Sequence, residues 1–149
     1  MEQKALTEYR IKNEEETRAF ALALAQKLAA GDVLALIGDL GTGKTTLTRY
    51  IGEGLGIRQR ISSPTFTIVK EYTDGRLPLY HFDVYRIGDI EEMEEIGYDD
   101  YFFGQGICLI EWANLIEEIL PDDLIRITIE KDLEKGFDYR RITVEGLDI

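Results

Sequence analysis

Residues 33–46 read Val33-Leu34-Ala35-Leu36-Ile37-Gly38-Asp39-Leu40-Gly41-Thr42-Gly43-Lys44-Thr45-Thr46, and this stretch decides the fold. Its five leading apolar residues predict a strand buried on both faces, as in a parallel sheet. The next eight follow the pattern G-x-x-x-x-G-K-[ST] and run into a helix-like segment, which is the strand–loop–helix context that a phosphate-binding loop requires. Gly38, Gly41 and Gly43 allow the backbone to turn tightly and aim its N–H groups at phosphate oxygens. The helix starting near Lys44 adds unpaired N–H groups and a partial charge of roughly +0.5. Lys44 is expected to reach the β- and γ-phosphates, and Thr45 to offer a hydroxyl to Mg²⁺, an ion that prefers oxygen ligands and keeps several waters. With Asp39, Leu40, Thr42 and Thr46 completing the loop, the segment reads as a site for a nucleoside triphosphate with Mg²⁺.

Working outward, Asn13-Glu14-Glu15-Glu16 predicts a helix start with Asn13 as N-cap, Glu16 at the capping-box position, Phe20, Leu24 and Leu28 on one face, and Gly31 at the end. The helix after the loop should run to about residue 55 and close at Gly56. A polar segment around Pro64 leads to strand-like runs at 66–72 and 77–86, and Asp74-Gly75 between them is a hairpin signal. Alternation in the second run puts Tyr80, Phe82 and Val84 on one face and Leu79, His81, Asp83 and Tyr85 on the other. A short acidic helix at 90–96, an irregular aromatic-rich connection at 98–106 and a third core strand at 107–110 follow. That strand enters Glu111-Trp112 and a helix ending before Pro121. Residues 124–130 and 139–145 form a last hairpin around Lys135-Gly136. The order predicts a single α/β domain over residues 1–149. Its class is a P-loop NTPase-like three-layer sandwich, with parallel central strands extended by antiparallel hairpins. Ligands of such sheets lie at strand carboxyl ends, so the ends of strands 33–37 and 107–111 should meet.

Composition excludes several classes. At 149 residues with 44% hydrophobic content, the chain suffices for one well-buried core and not for two ordinary domains. No apolar run approaches the ~20 residues that span a bilayer, and residues 1–8 lack the apolar core of a signal peptide, so the cytosol is the expected location. A lone cysteine, Cys108, permits no internal disulfide and reads as a small buried hydrophobe. Without a Cys/His cluster, zinc is not expected. The net charge of −12 opposes independent binding to a polyanion, so contact with RNA should need a partner.

Several positions outside the loop bear on chemistry. Glu111 follows four apolar residues as a Walker-B acid does, and could hold Mg²⁺ or its waters. Thr65 stands twenty positions after Thr45 in a loop, a place for a switch sensing Mg²⁺ and γ-phosphate, or for an ordinary polar turn. Asp83 is a carboxylate inside a strong strand pattern, which costs stability unless paired or coordinated. It either orients water or supports Mg²⁺, or it pairs with Arg86 or a lysine. His81 reads as a hydrogen-bonded structural residue rather than a proton shuttle. Trp112 reads as core or site wall, with shielding of a base or a partner contact as alternatives. The acidic run Glu91, Glu92, Glu94 and Glu95 reads as a solvated face, its alternative being docking onto a basic partner. No arginine is placed by the sequence to stabilise charge on a transferring phosphoryl group; Arg86 is the nearest cis candidate and a partner could supply one, so hydrolysis by the isolated chain should be slow. Arginines of a small-molecule kinase lid are missing from 87–106, and no Asn-Lys-x-Asp sequence for guanine is present.

The motifs Gly-Asp-Leu-Gly-Thr-Gly-Lys-Thr-Thr at 38–46, Ser-Pro-Thr-Phe-Thr at 63–67, His-Phe-Asp-Val-Tyr-Arg at 81–86 and Cys-Leu-Ile-Glu-Trp at 108–112 resemble the bacterial TsaE family over nearly the whole chain. The first is common to many NTPases; the other three are specific. The resemblance implies an ATPase component of the machinery that makes N6-threonylcarbamoyladenosine at position 37 of tRNAs reading codons that begin with A. Its cofactors would be ATP and Mg²⁺. Its partners would be a threonylcarbamoyl transferase of TsaD type and a sugar-kinase-like subunit of TsaB type, with tRNA contacted only indirectly and no membrane involved. Hydrolysis would reset that complex, not transfer the group. The family's metal and phosphate residues fall on Lys44, Thr45 and Glu111, its switch threonine on Thr65, its functional acid on Asp83, and its activity-linked tryptophan on Trp112.

Overall fold

The computed structural model describes residues 6–39, 41–62, 64 and 68–147. In chain order these give β1 (Leu6–Ile11), α1 (Glu14–Lys27), β2 (Val33–Ile37), α2 (Lys44–Gly54), β3 (Val69–Tyr72), β4 (Leu79–Asp83), α3 (Glu91–Glu95), α4 (Tyr98–Phe102), β5 (Ile107–Glu111), a 3-10 segment (Ala113–Ile119), β6 (Ile125–Lys131) and β7 (Arg140–Glu145). The strands make one sheet in the order β1-β7-β6-β2-β5-β4-β3. β2 runs parallel to β5 and β6, and β4 parallel to β5, while β7 is antiparallel to β6 and β1, and β3 antiparallel to β4. The parallel centre and antiparallel flanks are those expected of the α/β class.

Every residue of β5 is buried, as are residues 33–36 of β2, because helices cover both faces of the sheet. Leu34 and Leu36 point into a core shared with Phe20, Leu24, Leu47 and Ile51 of α1 and α2. Val33 and Ala35 point the other way, into a core with Phe82, Met93, Phe102 and Ile116. Three layers follow from this alternation. Cys108 lies in the second core; burial pushes its thiol up to about 12, and Sγ donates to the Tyr101 carbonyl at 3.1 Å.

α1 begins as its sequence dictates: the Asn13 side chain accepts from the Glu16 N–H at 2.9 Å. The Glu16 carboxylate reaches one residue further back than a capping box would, accepting from Lys12 N–H at 2.7 Å. α1 and α2 approach closely where Gly54 meets Ala25. A Cβ on Gly54 would sit 2.5 Å from the Ala25 Cβ and 3.4 Å from the Leu22 Cα. Gly54→Ala should therefore lower the melting temperature, overpacking of about 1–3 kcal/mol exceeding the helix-propensity gain of about 1 kcal/mol. An equal or higher melting temperature would show that the helices part without cost.

Several expectations are corrected. β1 has no counterpart in the sequence reading. Asp74-Gly75 is not a two-residue hairpin turn, since Tyr72 pairs with Leu79 and six residues intervene. Asp74 instead accepts from the N–H groups of Arg58 and Gln59, and Arg76 donates to the carbonyls of Ala25 and Leu28 at the end of α1. The connection at 98–106 contains the short helix α4, and the segment after Trp112 is 3-10 with a break at Ile116. β4 stops at Asp83, whose carboxylate accepts from Tyr85 N–H at 3.1 Å and turns the chain out of the sheet. Leu40 and Thr65 lie outside the described residues, as do the neighbours Ser63, Phe66 and Thr67.

Candidate functional site

The two long helices begin in opposite ways. α1 carries a side-chain cap and three acids in its first turn, so its N-terminal field is satisfied from within. α2 starts at Gly43 with no side-chain cap and no acid in its first turn, and its N–H groups remain for an external anion. The loop before it takes its shape from glycine, with Gly41 at φ +81° and Gly43 at +101°. Gly38 is required for a different reason: a Cβ there would stand 2.8 Å from Thr42 Oγ1 and 2.9 Å from the Ile129 carbonyl. Thr42 secures the turn by donating from both N–H and Oγ1 to the Asp39 carbonyl, at 3.2 and 2.9 Å.

Lys44 is 6% exposed and folds back over the loop, donating to the Gly38 carbonyl at 2.5 Å. Its ammonium also lies 3.4 Å from the centre of the Trp112 ring, a cation–π contact. Burial lowers the pKa of this ammonium, and the nearby carboxylates of Glu111, Asp83 and Asp39 counter that shift. Trp112 holds the indole in place with a left-handed backbone, φ +64°, the one non-glycine residue with positive φ among those described. Tyr85 also packs against the indole, ring centres 4.8 Å apart.

Strand register supplies the acids. Glu111, at the end of β5, pairs with Leu36 of β2 on one side and with Asp83 of β4 on the other, so both carboxylates reach the carboxyl edge beside the loop. Glu111 is 3% exposed; its Oε1 accepts from Thr45 Oγ1 at 3.3 Å and its Oε2 lies 2.6 Å from His81 Nε2. Among the described residues Asp83 makes no ion pair with Arg86, which is exposed.

These groups line a cavity of about 490 Å³ whose walls include Gly41, Gly43, Lys44, Thr45, Thr46, Asp83, Glu111 and Trp112. A second cavity of about 180 Å³ adjoins it through Gly43, Thr46 and Arg140, and extends to Thr17 and Ile142. Gly38 and Asp39 line neither of these two; they face a third cavity behind the loop, with Thr128 and Lys131. Arg140 was not anticipated. It replaces Arg86 as the arginine at the site, and its Nε donates to the Thr42 carbonyl at 2.7 Å while Nη1 donates to those of Phe137 and Tyr139. Its only trace in the sequence is the arginine pair that opens the last strand.

A family model described as "Threonylcarbamoyl adenosine biosynthesis protein TsaE" matches residues 11–142. The chain is 56% identical over 135 residues to the tRNA threonylcarbamoyladenosine biosynthesis protein TsaE of Bacillus subtilis, covering 91% of this chain and 82% of that one. It is 40% identical to the protein of the same description from Streptomyces coelicolor, covering 87% and 90%. Among solved structures, that of Bacillus subtilis YdiB superposes with a TM-score of 0.80 at 47% identity, over 99% of this chain and 90% of that one.

Proposed function

The chain belongs to the TsaE family of threonylcarbamoyl adenosine biosynthesis proteins, and from that premise we propose that it binds Mg²⁺ and ATP at residues 38–46 and hydrolyses the ATP in support of tRNA threonylcarbamoyladenosine formation. One observation carries the reading. Lys44, Thr45, Asp83 and Glu111 converge on a single cavity at the uncapped N-terminus of α2. A cation, a hydroxyl and two carboxylates beside a helix N-terminus are the donor set that a metal–triphosphate needs.

In this reading the triphosphate occupies the cavity of about 490 Å³ and the nucleoside extends past Thr46 and Arg140 into that of about 180 Å³. Lys44 leaves the Gly38 carbonyl for the β- and γ-phosphate oxygens. Thr45 and Glu111 are the residues to hold Mg²⁺, with Asp83 beside them, and the bound ion supplies neutralisation of the phosphate oxygens. The acid not ligating the ion is left to orient the attacking water. Arg140 acts on the loop's shape, since its Nε and Nη1 are committed to backbone carbonyls.

Among the described residues the arginine lining the cavity is Arg140, and its Nε and Nη1 are held by backbone carbonyls, so turnover by the isolated chain is slow in this reading and an arginine supplied by a partner would add on the order of 10³–10⁵ in rate. The partners in this reading are the threonylcarbamoyl transferase and its sugar-kinase-like subunit, and hydrolysis resets their complex without transferring the group. The net charge of −12 fits contact with tRNA through those partners. Among the described residues no helix is long and apolar enough to cross a membrane, and the reading places the chain in the cytosol. The test is ATP hydrolysis by the purified chain, alone and with the transferase heterodimer. Slow turnover that the heterodimer raises supports the proposal; fast turnover that it leaves unchanged overturns it.

A further inference from the structure

His81 sits within β4 with 0% exposure, and only one of its ring nitrogens is satisfied. Nε2 is 2.6 Å from Glu111 Oε2, and Nδ1 is buried without a hydrogen-bond partner. Besides an imidazolium, which would leave an Nδ1–H buried without an acceptor, two proton arrangements fit the short contact. If a protonated carboxyl donated to Nε2, the ring hydrogen would fall on Nδ1, leaving an N–H buried with no acceptor, which protein interiors rarely tolerate. If Nε2–H donates to the carboxylate, Nδ1 is left as a bare lone pair, the milder outcome. The geometry therefore points to His81 as a neutral donor to Glu111.

The donor comes from the neighbouring strand. His81 is in register with Leu109, and Glu111, two residues along β5, projects from the same face. The carboxylate is thereby divided: Oε2 is held from the protein interior, and Oε1 turns toward the Thr45 hydroxyl at the cavity. With His81 fully buried, solvent cannot stand in for the missing donor.

We infer that His81 is a positioning residue whose Nε2–H fixes the rotation of the Glu111 carboxylate, presenting Oε1 together with Thr45 Oγ1 to the metal–nucleotide. The inference rests on the Mg²⁺–ATP reading above. Hydrogen-bond partners of ligating carboxylates set their orientation, and losing one commonly weakens metal binding about 10- to 100-fold.

The probe is Mn²⁺, followed by electron paramagnetic resonance on the full chain with ADP, beside calorimetric titration of ADP without metal. His81→Leu removes the donor; His81→Gln returns an amide N–H near the Nε2 position. The expected result is Mn²⁺ affinity about 10-fold or more weaker in His81→Leu and within about threefold of wild type in His81→Gln, with metal-free ADP affinity the same in all three. A purely structural role would shift melting temperature and weaken ADP equally with and without metal, and that result overturns the inference. So does a folded His81→Gln that loses Mn²⁺ as badly as a donor-free site, which decides the matter even if His81→Leu does not fold. Wild-type ADP affinity indifferent to Mn²⁺ is a separate outcome, and removes the Mg²⁺–ATP reading together with the role of His81.

Discussion

Lys44→Ala is expected to remove ATP binding while leaving the fold intact. The ammonium lies on the Gly38 carbonyl at the loop, and without it the cavity keeps two carboxylates, Asp83 and Glu111, facing an anionic ligand. Deleting one partner of a buried, hydrogen-bonded charge pair costs roughly 2–5 kcal/mol, which is about 30-fold to a few thousand-fold in affinity. The fold has little stake in this group. In the ligand-free chain the charge is desolvated, its pKa lowered by burial, and it is held by one carbonyl and one ring face. The melting temperature should thus stay level or rise. Titration calorimetry with Mg²⁺–ATP, paired with a thermal melt, reads both quantities. Affinity within about threefold of wild type would remove Lys44 from the phosphate site.

The second large effect is expected at Glu111, where two substitutions separate chemistry from stability. Glu111→Gln keeps the shape of the side chain and an amide oxygen that can accept from His81 Nε2 or Thr45 Oγ1, so the folded state and nucleotide binding should persist. Hydrolysis should fall on the order of 10²–10³, since the charge that fixes the ion or its water is gone. Glu111→Ala should lose hydrolysis equally and also lower the melting temperature, because His81 is left with a buried donor and no acceptor at a cost of about 1–3 kcal/mol. Single-turnover rates and melting curves on the two variants make the comparison. Normal hydrolysis in Glu111→Gln would transfer the role to Asp83.

What could be read from the sequence was what is local. The strand, the loop and α2 occupy consecutive residues, and glycine spacing, an uncapped start and a buried apolar run each leave a mark at short range. Asn13 and Glu16 announced α1 for the same reason. β1 left no such mark: exposed and half-buried residues alternate along it until Ile11, and it is a strand because β7, far along the chain, offers it hydrogen bonds. Asp74-Gly75 misled because a turn dipeptide served a tertiary contact, holding residues 58 and 59. At the site, Lys44, Thr45 and Glu111 were legible as types in context. The bond from His81 to Glu111 depends on the β4–β5 register, and that from Arg140 to the Thr42 carbonyl spans 98 positions to a backbone atom that no residue pattern encodes.

The chain contains one tryptophan, and it is the residue on which the Lys44 ammonium rests. Its ultraviolet emission therefore comes from a single indole whose immediate electrostatic surroundings change when the lysine departs. On the Mg²⁺–ATP reading, the protein carries its own label-free optical gauge of phosphate-loop occupancy, placed against a side chain that leaves the Gly38 carbonyl when a triphosphate enters.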